Sequence, residues 1–153
     1  MSGTLVAGVG NVFFGDDGFG VEVARRLQSE TFPEHVQVAD YGIRGVHLAY
    51  QLLDGYDTLV LIDAVARGEP PGTVSLIEPR LDGRSEVAPD AHGMDPASVL
   101  AMVHELGGKI GRVFLVGCEP AEICERMGLS EPVERAVEEA ARLVRRLVQE
   151  GEA

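Results

Sequence analysis

Thr58-Leu59-Val60-Leu61-Ile62-Asp63-Ala64-Val65 sets four consecutive aliphatic side chains directly before a carboxylate. Successive side chains of an extended chain point to opposite faces, so an unbroken apolar run of this length predicts a strand covered on both sides. Such strands belong to parallel sheets sandwiched between helices. The acid at the end of the run is the second signal, because an ionised carboxylate leaving water is costly unless it is paired or bound to a cation. Asp63 therefore either caps the next turn or belongs to a site.

Working outward, Thr4 to Gly8 is a shorter apolar run that stops in Gly8-Val9-Gly10-Asn11, the pattern of a buried strand ending in a tight turn. Helical spacing follows from about Gly18 to Gln28 through Val21, Val23, Ala24 and Leu27. His35 to Tyr41 reads as a strand, and Gly42-Ile43-Arg44-Gly45 breaks it before a helix through Val46, Leu48, Ala49, Leu52 and Leu53. Thr73 to Ile77 is a further strand. Residues 78–94 are polar and aperiodic and predict a long loop, a kind of segment that often carries function. Asp95-Pro96 marks a helix start running to about Leu106, Arg112 to Gly117 is the last strand, and Ser130 is placed to cap a final helix through Val133, Val137, Ala140, Ala141, Val144, Leu147 and Val148.

Strands alternating with helices predict a three-layer α/β/α sandwich with a mainly parallel sheet of about five strands, built as a single domain over residues 1–153. One strand is expected to run antiparallel, because Asp63 to Gly72 leaves no room for a crossover helix before Thr73. Ligands of such sheets bind beyond the carboxyl ends of the strands. Chemistry is to be sought just after the apolar runs.

Net charge narrows the partners. At −12 the chain repels nucleic acid and anionic membranes, and its densest basic group (Arg135, Arg142, Arg145, Arg146) is interleaved with Glu134, Glu138, Glu139 and Glu150 as a solvated helix face. The two cysteines, Cys118 and Cys124, lack the spacing of a zinc site and read as reduced structural thiols. No basic leader precedes the first strand and no apolar stretch approaches a membrane span, so a cytoplasmic location is expected. No heptad or broad apolar stripe calls for a dimer, and a monomer is expected.

Four residues satisfy the strand-end rule: Asp16 and Asp17 after the first strand, Asp63 after the third, and His92 in the long loop. Each has an ordinary alternative. The two early acids can complement a helix dipole, Asp63 can cap a turn, and His92 can be a plain loop residue, as His35, His47 and His104 are expected to be at the surface. A nucleotide site at the first Gly-rich turn is disfavoured: Phe13 stands where a dinucleotide fingerprint needs its third glycine, and no Lys-Ser or Lys-Thr pair forms a P-loop. Asp16 and Asp17 would also face the phosphate, each like charge at about 4 Å costing roughly 1 to 4 kcal/mol at effective dielectrics of about 80 to 20. The same turn favours a cation.

Taken in order, Gly8-Val9-Gly10-Asn11, Asp16-Asp17-Gly18, Gly20, Asp40, Gly42, Gly45, Leu61-Ile62-Asp63-Ala64-Val65, His92, Gly117-Cys118-Glu119-Pro120 and Gly128-Leu129-Ser130 resemble the hydrogenase maturation endopeptidases along nearly the whole chain. The resemblance implies a phosphorylase/hydrolase-like fold and an aspartyl-type endopeptidase that trims the C-terminus of the nickel-iron hydrogenase large-subunit precursor. It implies that Asp17, Asp63 and His92 are the metal-contacting and catalytic residues, with Asp16 an alternative general base, and that the metal is nickel presented by the substrate and at most weakly held by the free enzyme. Two positions depart from the family pattern: the first acid is often Glu where this chain has Asp17, and Ile43 replaces the usual Thr of the second Gly-rich turn. Two other classes stay open at this point, a non-catalytic nickel-binding maturation chaperone and a flavodoxin-like small-ligand-binding domain.

Overall fold

The computed structural model describes residues 3–79 and 96–150. Five strands form one sheet: β1 (Gly3–Val9), β2 (Val36–Gly42), β3 (Tyr56–Ala64), β4 (Val74–Ile77) and β5 (Arg112–Cys118), in the spatial order β2-β1-β3-β5-β4. Four helices connect or follow them: α1 (Phe19–Gln28), α2 (Gly45–Leu52), α3 (Pro96–Glu105) and α4 (Glu131–Glu150). A single 3-10 turn, Gly15–Gly18, precedes α1. All pairings are parallel except β4 with β5, which run antiparallel from Val74 opposite Cys118 to Ile77 opposite Leu115. The short connection after Asp63 has the consequence expected of it.

The apolar run of β3 is explained by its place between β1 and β5. Leu59 and Leu61 join Leu5, Ala7 and Val9 against Leu48 and Leu52 of α2 and Val99 and Val103 of α3. Val60 and Ile62 face the other way, with Val6, onto Phe19, Val23 and Leu27 of α1 and Val133, Ala140 and Val144 of α4. Both faces of the strand are dry, so its side chains alternate in direction without alternating in polarity. Helices on both sides complete the three-layer α/β/α sandwich.

The order β2-β1-β3 also fixes where a ligand can enter. The chain leaves β1 toward β2 on one side and leaves β3 toward β4 and β5 on the other. Adjacent parallel strands whose connections diverge leave a crevice at their carboxyl ends, the topological switch point of an open α/β sheet. Close packing of α1 deepens this spot: a Cβ on Gly8 would stand 2.1 Å from the Gly20 carbonyl oxygen, and one on Gly20 would stand 2.0 Å from that of Ile62. Only glycine lets the first turn of α1 sit directly on the β1 and β3 seam.

Candidate active site

Asp17 and Asp63 lie at that switch point, one in the 3-10 turn after β1 and the other one residue before the end of β3. Both are buried, at 8% and 7% exposure. Both border the turn that ends β1. The Asn11 N–H donates to Asp17 Oδ2 at 2.9 Å, and Asp63 Oδ1 accepts from the Ala64 N–H at 2.8 Å. Gly10, between strand and turn, has φ of +129°, and a Cβ there would lie 1.9 Å from the Asp17 carbonyl oxygen and 3.4 Å from Asp63 Oδ1. A side chain at position 10 would thus occupy the space beside both acids. The turn is wired from the other side too, by Gly10 N–H to the Gly42 carbonyl at 2.9 Å and Phe13 N–H to Asn11 Oδ1 at 2.9 Å.

His92 lies outside the described residues. Among the described residues no three His, Cys, Asp or Glu side chains are grouped closely enough to hold a metal ion. What the described part contributes is two desolvated carboxylates, hard oxygen donors suited to a cation or to accepting a proton from water.

Asp16 has a different occupation. Its carboxylate is completely buried and accepts four hydrogen bonds: Ala121 N–H at 2.8 Å, Glu122 N–H at 2.9 Å and Ser130 Oγ–H at 2.8 Å to Oδ2, and Ser130 N–H at 2.7 Å to Oδ1. Burial works to raise its pKa, but the hydrogen bonds from Glu122, Ser130 and Ala121 outweigh it and hold the group below the usual carboxylate range. A carboxylate so engaged is a poor proton acceptor at neutral pH. Ser130, expected as a cap for α4, keeps that position through its carbonyl, which accepts from Glu134 N–H at 2.8 Å, while its hydroxyl is turned to Asp16.

A further acid, Glu119, ends β5 as Asp63 ends β3. It is buried, and its Oε1 accepts from the Arg67 N–H at 2.7 Å and the Glu69 N–H at 3.1 Å, which holds the segment after Asp63 against β5. Of the two thiols, Cys118 is buried, its pKa pushed up to about 12 by burial and then by Asp16, Glu139 and Glu119. Cys124 is exposed, so only Cys118 fits the expectation of a structural thiol. Beside the Gly10 turn runs an open groove of about 270 Å³ between Gly10–Phe13 and Asp40–Arg44, with Phe13 and Ile43 exposed on its walls.

An open, mainly parallel sheet places this chain among the α/β proteins, here with two buried acids at the switch point. Known proteins give that class a family. Residues 21–147 match the family described as hydrogenase maturation protease. The chain is 33% identical over 145 residues to the hydrogenase maturation protease homologue of Methanocaldococcus jannaschii, covering 92% of each protein. It is 33% identical over 152 residues to the hydrogenase expression/formation protein HoxM of Cupriavidus necator, covering 93% of this chain and 74% of that protein. The solved structure of the hydrogenase maturating endopeptidase HybD from E. coli superimposes with a TM-score of 0.85 at 27% identity, over 97% of this chain and 93% of that one. The chain belongs to the hydrogenase maturation protease family and is a peptidase of hydrogenase maturation.

Proposed function

We propose that this enzyme removes the C-terminal peptide of a nickel-iron hydrogenase large-subunit precursor once nickel has been loaded, and that Asp17, Asp63 and His92 read the nickel. The observation that carries the reading is the burial of Asp17 and Asp63 on either side of the Gly10 and Asn11 turn in a member of this family. Two carboxylates and an imidazole lack the thiolates that would hold a borderline-soft ion permanently. Nickel is thus part of the substrate, retained by the precursor's own cysteine thiolates, and the enzyme binds it only in the complex.

Docking there would set the scissile peptide next to Asp17 and Asp63. Hydrolysis adds water across the bond: the new C–O bond forms as one carboxylate takes a proton from the water, the C–N bond breaks, and the proton passes to the departing amine. The metal, when present, supplies charge stabilisation for the carbonyl oxygen. Support for an aspartyl-type mechanism comes from Asp17 and Asp63 both being buried acids at the switch point. The groove beside Gly10, with exposed Phe13 and Ile43, suits an extended apolar segment of the precursor. Among the described residues no helix is long and apolar enough to cross a membrane. We take the enzyme to act as a monomer in the cytoplasm.

The test is to incubate purified enzyme with apo and nickel-loaded precursor and to follow release of the C-terminal peptide by mass. Cleavage of the nickel-loaded form alone is expected. Equal cleavage of both overturns the nickel gate, and cleavage of neither favours the chaperone reading.

A further inference from the structure

Consecutive residues of a 3-10 helix are turned by about 120° from one another, so two neighbouring side chains cannot serve the same direction. In the turn Gly15–Gly18 one acid faces the 121–130 segment and the next faces the Gly10 and Asn11 turn. The Asp16 side is held by far more than its carboxylate. Asp16 N–H donates to the Glu122 carbonyl at 3.0 Å, Gly15 N–H to that of Arg126 at 2.7 Å, and Arg126 N–H to that of Phe13 at 3.0 Å, with Phe14 bridged to Arg126 in parallel register. The Asp17 side is held by the Asn11 N–H and by its own N–H to the Phe14 carbonyl at 3.2 Å. The Asp16 side thus ties the turn to a segment 105 to 114 residues away in sequence.

We propose that Asp16 is a positioning residue: by anchoring the turn to the 121–130 segment, it fixes the direction in which Asp17 presents its carboxylate to the substrate. This rests on the reading of Asp17 as a substrate-contacting acid. It assigns Asp16 no contact with substrate. The four donors on Asp16 hold its carboxylate stationary beside Asp17. Asparagine at position 16 supplies one acceptor oxygen instead of two and sets its amide hydrogens against one group of donors, so the anchor loosens without a change of size.

The experiment compares wild type, Asp16→Asn and Ser130→Ala, the last removing a single donor and leaving the carboxylate in place. The decisive readout is the backbone amide resonance of Asn11 in the free protein at fixed neutral pH, because Asn11 N–H bonds Asp17 and not Asp16. A role confined to the 121–130 segment moves the amides of Ala121, Glu122 and Ser130 and leaves Asn11 where it was. The proposal expects Asn11 to shift in Asp16→Asn and, by less, in Ser130→Ala. Processing of the precursor should fall in the same order, by on the order of 100-fold in Asp16→Asn, the cost of roughly 1 Å of misplacement at a reacting group. An Asn11 resonance unmoved in the folded variants overturns the proposal whatever happens to processing. If wild type itself releases no peptide, the endopeptidase reading fails, while the Asn11 comparison still decides the role of Asp16.

Discussion

Gly20 of α1 and Ile62 of β3 touch so closely that a Cβ on Gly20 would stand 2.0 Å from the Ile62 carbonyl oxygen, one residue before Asp63. The contact couples the first helix to the strand that carries the second acid. Gly20→Ala cannot be accommodated by a rotamer change, because the obstruction is backbone on both sides: the Val9 carbonyl oxygen would lie at 2.4 Å. Helix α1 must move away from the sheet, and overpacking of this kind costs about 1 to 3 kcal/mol, or more where backbone has to shift. Urea unfolding should show a loss of at least that size. Processing per folded molecule should fall too, since the displaced helix carries the turn that holds Asp17.

Acid stability should reveal a second link, between α1 and α4. Arg145 Nε donates to Glu30 Oε1 at 2.7 Å and its Nη2 approaches Oε2 at 2.5 Å, a two-point grip with both side chains about three-quarters covered. The hydrogen bond from Arg145 is the main reason the Glu30 pKa is lowered, with Arg26 adding to it against burial. A carboxylate whose folded pKa is depressed contributes stability above its unfolded pKa of about 4.3 and loses that contribution as pH falls toward the folded value. Wild type should therefore lose stability from about pH 5 downward, with Asp16 adding to the slope for the same reason. Arg145→Met should flatten the Glu30 part of the slope and cost about 1 kcal/mol at neutral pH, less at high salt. Denaturant midpoints measured from pH 3 to 7 check both.

Glu119 supports the segment that leaves Asp63, and the two obvious replacements should differ. Glutamine keeps an oxygen to accept from the Arg67 and Glu69 N–H groups, whereas alanine leaves both to water or to nothing. Because residues 66–70 are exposed, water satisfies part of the loss, and Glu119→Ala should cost about 1 kcal/mol, the lower end for unpaired donors. Glu119→Gln should cost less. The sharper measurement is limited proteolysis, with faster nicking between Val65 and Gly72 in the alanine variant alone.

These cases also show what kind of information the sequence carries. Asp63 was legible because its signal is local: four apolar residues and then a charge. The antiparallel β4 was legible for a similar reason, since a connection of that length cannot hold a crossover helix. The position of Asp17 after a strand was equally local. The partners of Asp16 were not, because they are 105 to 114 residues away, and in sequence nothing separates it from Asp17 beside it. Ser130 carried the pattern of a helix cap, and nothing near it in sequence indicates that its hydroxyl turns to an acid near the other end of the chain. Glu119 follows an apolar strand just as Asp63 does, so the rule that found one acid applies to the other.

Asp17→Asn, Asp63→Asn and His92→Ala should each abolish release of the C-terminal peptide while leaving thermal stability unchanged or slightly raised. The backbone donors beside the two acids need an oxygen, which asparagine also offers. Asparagine at position 17 still offers an oxygen to the Asn11 N–H, and asparagine at position 63 still offers one to the Ala64 N–H. Each substitution removes one negative charge from a buried carboxylate, and at position 17 that charge stands next to Asp16 in the chain. Removing a buried charge at a functional site is often neutral for stability or slightly stabilising. For His92 the expectation rests on the family resemblance, which gives it a ligand's role. Melting temperature and peptide release, measured on the same preparations, separate the outcomes. A large fall in melting temperature with activity per folded molecule intact would return these residues to the framework. Intact folding with no cleavage places them in the chemistry, and a variant that still pulls down nickel-loaded precursor without cutting it would show which of the three is needed for hydrolysis after docking.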